Sequence, residues 1–208
     1  MFLSLDGIDG TGKSTQARAL AEWLRSLGRA VTECVDPGGT PVGQVIRALI
    51  LDNKDDIAPA CEALLFMSSR AQLVADVIRP ALDRGDIVVS DRYVLSTLAY
   101  QGHAGGLDVA QLREAGKLAT CGLMPDLTLL LDIPIEVAAQ RRQGRAADRV
   151  ERRPPAYHER VRQGFLAEAR RDPSIVVLDA TGDAETVQAA IRRAVEERFH
   201  GLGSGAGA

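Results

Sequence analysis

Cysteine is scarce in this 208-residue chain, where Cys34, Cys61 and Cys121 are the whole supply. Their number is odd and no two form a C-x-x-C pair. This argues against a disulfide framework or a thiolate metal site and leaves buried free thiols with no assigned role. Long apolar runs are missing too: no stretch reaches the roughly 18 residues that a membrane-spanning helix needs. The opening MFLSLDGIDG lacks the basic start and apolar length of a secretory signal, so the chain reads as soluble and cytoplasmic, with no membrane partner. Excess positive charge is absent as well, and a net charge of -3 argues against nucleic acid as a partner. Lysine occurs only as Lys13, Lys54 and Lys117, every other basic position being arginine. A lysine inside a motif therefore stands out.

What is present suffices for one core: 46% of the residues are hydrophobic and 25% charged. Short apolar strands are expected at residues 1–5, 30–35, 86–90, 127–131 and 175–178. Helical spacing is expected over 13–27, 42–51, 58–84 with a kink at Pro80, 91–101, 109–120, 135 onward, 156–171 and 184–199. Strands alternating with helices predict an α/β fold of three layers around a parallel sheet of about five strands, with ligands at the strands' carboxyl ends. The expected organisation is a single domain over residues 1–200, a mobile arginine-rich lid at about 141–153, and a disordered GLGSGAGA tail over 201–208.

The stretch GIDGTGKST carries the strongest motif. Gly7, Gly12, Lys13 and Ser14 satisfy G-x-x-x-x-G-K-S/T between a predicted strand and a predicted helix. Such a P-loop turns backbone N–H groups around phosphate oxygens, adds the positive end of a helix, reaches terminal phosphates with its lysine and offers its hydroxyl to magnesium. The runs DPGG (36–39) and NKDD (53–56) also mimic GTPase motifs in the right order. Residues 42–51 nevertheless have helical spacing, and only about a dozen residues separate the two motifs, too few for the strands and helices required between them.

Two further clusters suggest a second substrate. Phe66 and Arg70 stand four apart on one helix, so a ring able to stack on a base and a guanidinium that only donates share a face. That pair suits the carbonyl of thymine or uracil; read alone, it better suits a core ring beside a surface ion pair. In SDRYVLSTLAYQG, Asp91 is placed at a strand end, where a carboxylate can position magnesium through water. Arg92 opens a helix and can hold a phosphate, and Tyr93, Thr97 and Tyr100 or Gln101 follow at helical spacing.

Together with LLFMSSRAQLVADVIRPAL, PDLTLLLDIP and VVLDA, these segments resemble bacterial thymidylate kinases from Met1 to about Phe199. The resemblance implies a P-loop kinase fold and transfer of the ATP γ-phosphoryl group to dTMP, with Mg²⁺ as cofactor and a homodimer as the assembled state. It implies ATP contacts from Gly7, Ile8, Asp9, Gly10, Thr11, Gly12, Lys13, Ser14, Thr15 and Arg142. It places Phe66 on thymine, Arg70 on its O4, Thr97 and Gln101 near the base, and Tyr100 against the position of a ribose 2′-hydroxyl. Asp9 is placed near the 3′-hydroxyl and the metal, and Arg47 and Arg92 on the acceptor phosphate. Ser14, Asp9 and Asp91 are the implied metal group, and Lys13, Arg92 and Asp9 the implied catalytic one. Gly10 matches the subtype whose transition-state arginine comes from the lid. Among Arg142, Arg145, Arg149, Arg152 and Arg153, the preferred residues are Arg149 and Arg145, between which spacing does not choose. Asp36 stands where the family commonly has glutamate, a shorter reach for the same charge.

Overall fold

The computed structural model describes residues 1–52, 56–144, 147–200 and 202. Five parallel strands, β1 (Phe2–Asp6), β2 (Val31–Val35), β3 (Ile87–Asp91), β4 (Leu127–Asp132) and β5 (Ile175–Asp179), lie in the order β2-β3-β1-β4-β5. β1 is buried along its whole length, as FLSLD between two helical layers requires. Alternation sorts its side chains: Leu3 and Leu5 join one apolar cluster with Leu20, Leu24, Leu129 and Leu131, while Phe2 joins the other with Leu73, Ile78, Val88 and Tyr93. Four strands end in aspartate (Asp6, Asp91, Asp132 and Asp179), and Asp36 directly follows the fifth. The carboxyl edge of the sheet is thus lined with acids that need cationic partners.

The helices are α1 (Lys13–Ser26), α2 (Pro41–Leu51), α3 (Pro59–Leu73), α4 (Arg79–Asp83), α5 (Val94–Thr97), α6 (Val109–Thr120), α7 (Ile135–Arg141), α8 (Pro155–Ala169) and α9 (Ala184–Arg198). Thr40 caps α2 by accepting from the Gly43 N–H at 2.9 Å, and Pro41 at the first position costs no hydrogen bond. As α2 is a helix, the GTPase geometry, which needs a strand ending at NKDD, is missing; residues 53–55 lie outside the described residues.

Three local expectations are corrected. The break in the 58–84 helix falls before Pro80: residues Val74–Ile78 widen into a π-turn, with the Arg79 N–H reaching the Val74 carbonyl. Proline cannot donate to a carbonyl four residues back, and the wider turn lets the chain continue past it. Arg92 does not begin a helix; it takes φ 72, α5 starts at Val94, and the turn widens again over Leu98–Ala104. Finally, the cysteines are free, but Cys61 on α3 and Cys121 directly after α6 are exposed rather than buried. Leu202, inside the expected tail, packs into the core, and Arg29 donates to its carbonyl.

Candidate functional site

The loop between β1 and α1 folds as its glycines dictate. Gly10 has φ 95, and a Cβ there would come within 2.6 Å of the Ala138 carbonyl of α7, so only glycine fits. Gly12, at φ 90, turns the chain into α1. Lys13 is 6% exposed and donates from Nζ to the Ile8 carbonyl at 2.8 Å, with Asp9 4.0 Å away. Burial, aided by the neighbouring Arg92 charge, pulls its pKa down to about 8. A desolvated ammonium held among backbone groups is poised for an anion.

Arg92 forms the hub beside the loop. Its guanidinium donates to Asp9, to the Gly7 carbonyl at 3.1 Å and to Ser96 Oγ at 2.9 Å. Ser96 in turn donates to Asp6 at 2.5 Å, and Tyr100 Oη donates to Asp9 at 2.8 Å. Burial would raise Asp9, but Arg92 and Lys13 outweigh it and hold this carboxyl well below the ordinary range. Asp6 lies deeper, and burial pushes it up to about 6 despite Ser96 and Arg92. The left-handed backbone at Arg92 is sparsely populated by non-glycine residues; here it is held by the Arg92 N–H donating to Leu5 and by Ser90 Oγ donating to the Arg92 carbonyl. Ser14 Oγ donates to Asp91 Oδ2 at 2.5 Å. A hydroxyl and a carboxylate so close suit Mg²⁺, a hard ion that keeps several waters and takes the rest of its shell from phosphate oxygens. No cluster of three or more His, Cys, Asp or Glu side chains arranged for a metal occurs among the described residues.

Two cavities meet at this hub. One is lined by Phe66, Arg70, Thr97, Tyr100, Gln101 and Leu51. The other runs along Gly10, Gly12, Lys13, Ser14, Thr15 and Arg141. Asp9, Asp36, Arg47, Arg92 and Asp148 line both. Arg70 is 1% exposed and spends four of its five N–H groups on Asp36 (2.5 Å), Met67 Sδ (3.0 Å), the Tyr93 carbonyl (3.2 Å) and Thr97 (3.1 Å). One Nη1 hydrogen is left over, and Arg70 is among the residues lining the first cavity. Burial raises the pKa of Asp36 against the opposing charge of Arg70, and its Oδ1 has no hydrogen-bond partner.

The structure therefore brings Asp9, Lys13, Ser14, Asp91, Arg92, Arg47, Phe66, Arg70, Thr97, Tyr100 and Gln101 to one continuous cleft. The lid arginines divide. Arg142 lies close enough for its charge to act on Asp9. Arg149 turns away from the loop: it donates to Glu62 and to the Ile50 carbonyl at 2.8 Å. Arg153 also binds Glu62, Arg152 is exposed, and Arg145 lies outside the described residues. Sequence reasoning missed Glu62, Ser96 and Arg141. Glu62 stands four residues before Phe66 on the same helical stripe, a signal that was available. Arg141 donates to the carbonyls of Ala180, Thr181 and Gly182, a contact across 39 or more positions of chain that no local pattern announces.

A family model described as thymidylate kinase matches residues 5–191. The thymidylate kinase of Leifsonia xyli subsp. xyli is 46% identical over 201 residues, covering 95% of each chain. That of Symbiobacterium thermophilum is 45% identical over 210 residues, covering 98% of each. A solved structure of thymidylate kinase from Ehrlichia chaffeensis superposes with a TM-score of 0.77 at 27% identity, covering 94% of this chain and 98% of that one.

Proposed function

The chain belongs to the thymidylate kinase family, and we infer from that membership and from the paired cavities that it transfers the γ-phosphoryl group of ATP to dTMP, giving dTDP and ADP. The observation that carries the reading is the meeting, at Asp9 and Arg92, of a phosphate loop with a cavity lined by Phe66 and Arg70. ATP takes the Lys13 side, its phosphates under the loop. The acceptor nucleotide takes the Phe66 side, the ring stacked on its base and the free Arg70 N–H given to a carbonyl at position 4. A donor-only group there favours thymine or uracil over cytosine, which presents an amino group.

Two anions facing each other repel, and the chain answers with Lys13, Arg92, Arg47 and, beside Asp9, Arg142. Ser14 and Asp91 would hold Mg²⁺, which would supply further positive charge at the phosphate oxygens. Tyr100, pinned to Asp9, crowds the position of a ribose 2′-hydroxyl. One lid arginine adds to these charges on transfer. No covalent intermediate is required. The cytoplasm, which holds ATP and dTMP, is the proposed location.

The assembled state proposed is a homodimer through α2, α3 and α6, where Val42, Val45, Leu49, Leu64 and Leu118 are exposed. The substrate assignment is tested by ADP release with dTMP, dUMP, dCMP and AMP as acceptors. The largest kcat/KM is expected with dTMP; a clear preference for another acceptor makes the chain a different nucleotide kinase.

A further inference from the structure

Glu62 lies one and two turns before Phe66 and Arg70 on α3 and is 1% exposed. It lines neither of the joined cavities, yet it gathers Gln101, which lines the first, and Arg149 and Arg153, whose neighbours Asp148, Val150 and Glu151 line one or both. Gln101 Nε2 donates to its Oε1 at 2.9 Å. Arg153 Nη2 donates to Oε1 at 3.1 Å and to Oε2 at 2.8 Å, and Arg149 Nη2 also donates to Oε2.

A carboxylate held by two guanidinium groups only accepts hydrogen bonds, so Gln101 must turn its NH2 toward Glu62. The amide oxygen is then left for the acceptor cavity, which Gln101 lines. An acceptor there suits a base bearing N–H at ring position 3, as thymine does, and opposes the lone pair that cytosine carries at that position. The same carboxylate governs the strap. Arg149 is fastened on its other side to the end of α2, its Nε donating to Ile50 and its N–H to Leu51 at 3.2 Å. Its neighbours Asp148 and Val150 line the base cavity, and Asp148 and Glu151 line the phosphate-loop cavity. Arg153 continues the chain of contacts through Tyr157 Oη, at 2.5 Å, to the Tyr100 carbonyl, 2.7 Å further on and next to Gln101.

We propose that Glu62 is a positioning residue that couples reading of the acceptor base to closure of the strap over residues 148–153. One carboxylate sets the face that Gln101 shows the base and latches Arg149 and Arg153 over the cleft. This rests on the reading of the acceptor as dTMP.

The test compares the full-length wild-type chain with Glu62→Gln and with the pair Arg149→Gln, Arg153→Gln. The measurements are kcat and KM for dTMP and dCMP, and trypsin cleavage within 141–153 with and without dTMP. In Glu62→Gln the dTMP-over-dCMP preference in kcat/KM is expected to narrow about tenfold, because the amide can turn either way. Trypsin cleavage of its strap is expected to be fast, and dTMP no longer to slow it. The arginine pair is expected to lose the same protection while keeping the base preference, a split that general loosening of the fold would not produce. A folded Glu62→Gln that keeps wild-type discrimination and a protected strap overturns the proposal. Should that variant fail to fold, the arginine pair decides: retained protection by dTMP overturns the latch, and lost protection supports it. Failure of the wild-type chain to phosphorylate dTMP would instead strike the substrate reading, a separate result.

Discussion

At the scale of single residues, the cleft works because buried charges are set against one another at unequal strength. Lys13 is desolvated, with its pKa brought down to about 8, a cost to the fold that the proposed function would offset through a bound phosphate. Lys13→Ala is therefore expected to lower kcat by at least about 100-fold with little loss of melting temperature, read by ADP release and thermal unfolding. Asp6 offers a pH prediction with a definite sign. Burial lifts its folded pKa from the ordinary 3.8 to about 6, so between these values the native chain holds a proton that the unfolded chain has released. The stability it confers is complete below the lower value and is lost as pH rises through the upper one. Asp6→Asn should flatten the stability profile between about pH 4 and 6, by about 2 to 3 kcal/mol, in urea unfolding across that range. Asp6 Oδ2 has no partner to lose in the exchange, and an asparagine oxygen can still accept from Ser96.

At the scale of elements, function depends on where helices begin and widen. α2 carries Arg47 into the cleft from a start fixed by Thr40, which is 4% exposed. Thr40→Ala should lower stability by about 1 kcal/mol in urea unfolding and raise the KM for dTMP more than that for ATP. These helices were visible as periodic apolar spacing, and α6 has the predicted bounds, Val109–Thr120. The π-turns were not visible, because one extra residue in a turn changes no composition and shifts the apolar stripe only locally. Nor was the left-handed backbone of Arg92: nothing in the letters marks an arginine for a conformation usually left to glycine.

At the scale of the whole molecule, five parallel strands bring segments 77 and 83 positions apart to one edge, so that Ser14 meets Asp91 and Asp9 meets Arg92. The outer face of α2, α3 and α6 keeps Val45 72% and Leu118 83% exposed. Scattered exposed apolar residues are ordinary, but stripes shared by helices that pack together fit burial against a second copy. Sedimentation equilibrium should show a dimer, and Val45→Glu with Leu118→Glu should shift it to monomer by at least about tenfold in dissociation constant, through burial of two unpaired charges.

The amino-acid sequence alone determined the fold class, the phosphate loop and the stripe bearing Phe66 and Arg70, because each depends on neighbours within a few residues, where backbone periodicity and glycine placement act. Only the tertiary structure decided which carboxylate each arginine serves. Arg149 read from the sequence as an arginine for the transferred phosphate, and just the packed chain, where the buried Glu62 carboxylate 87 positions away needs countercharge, pairs it with Glu62.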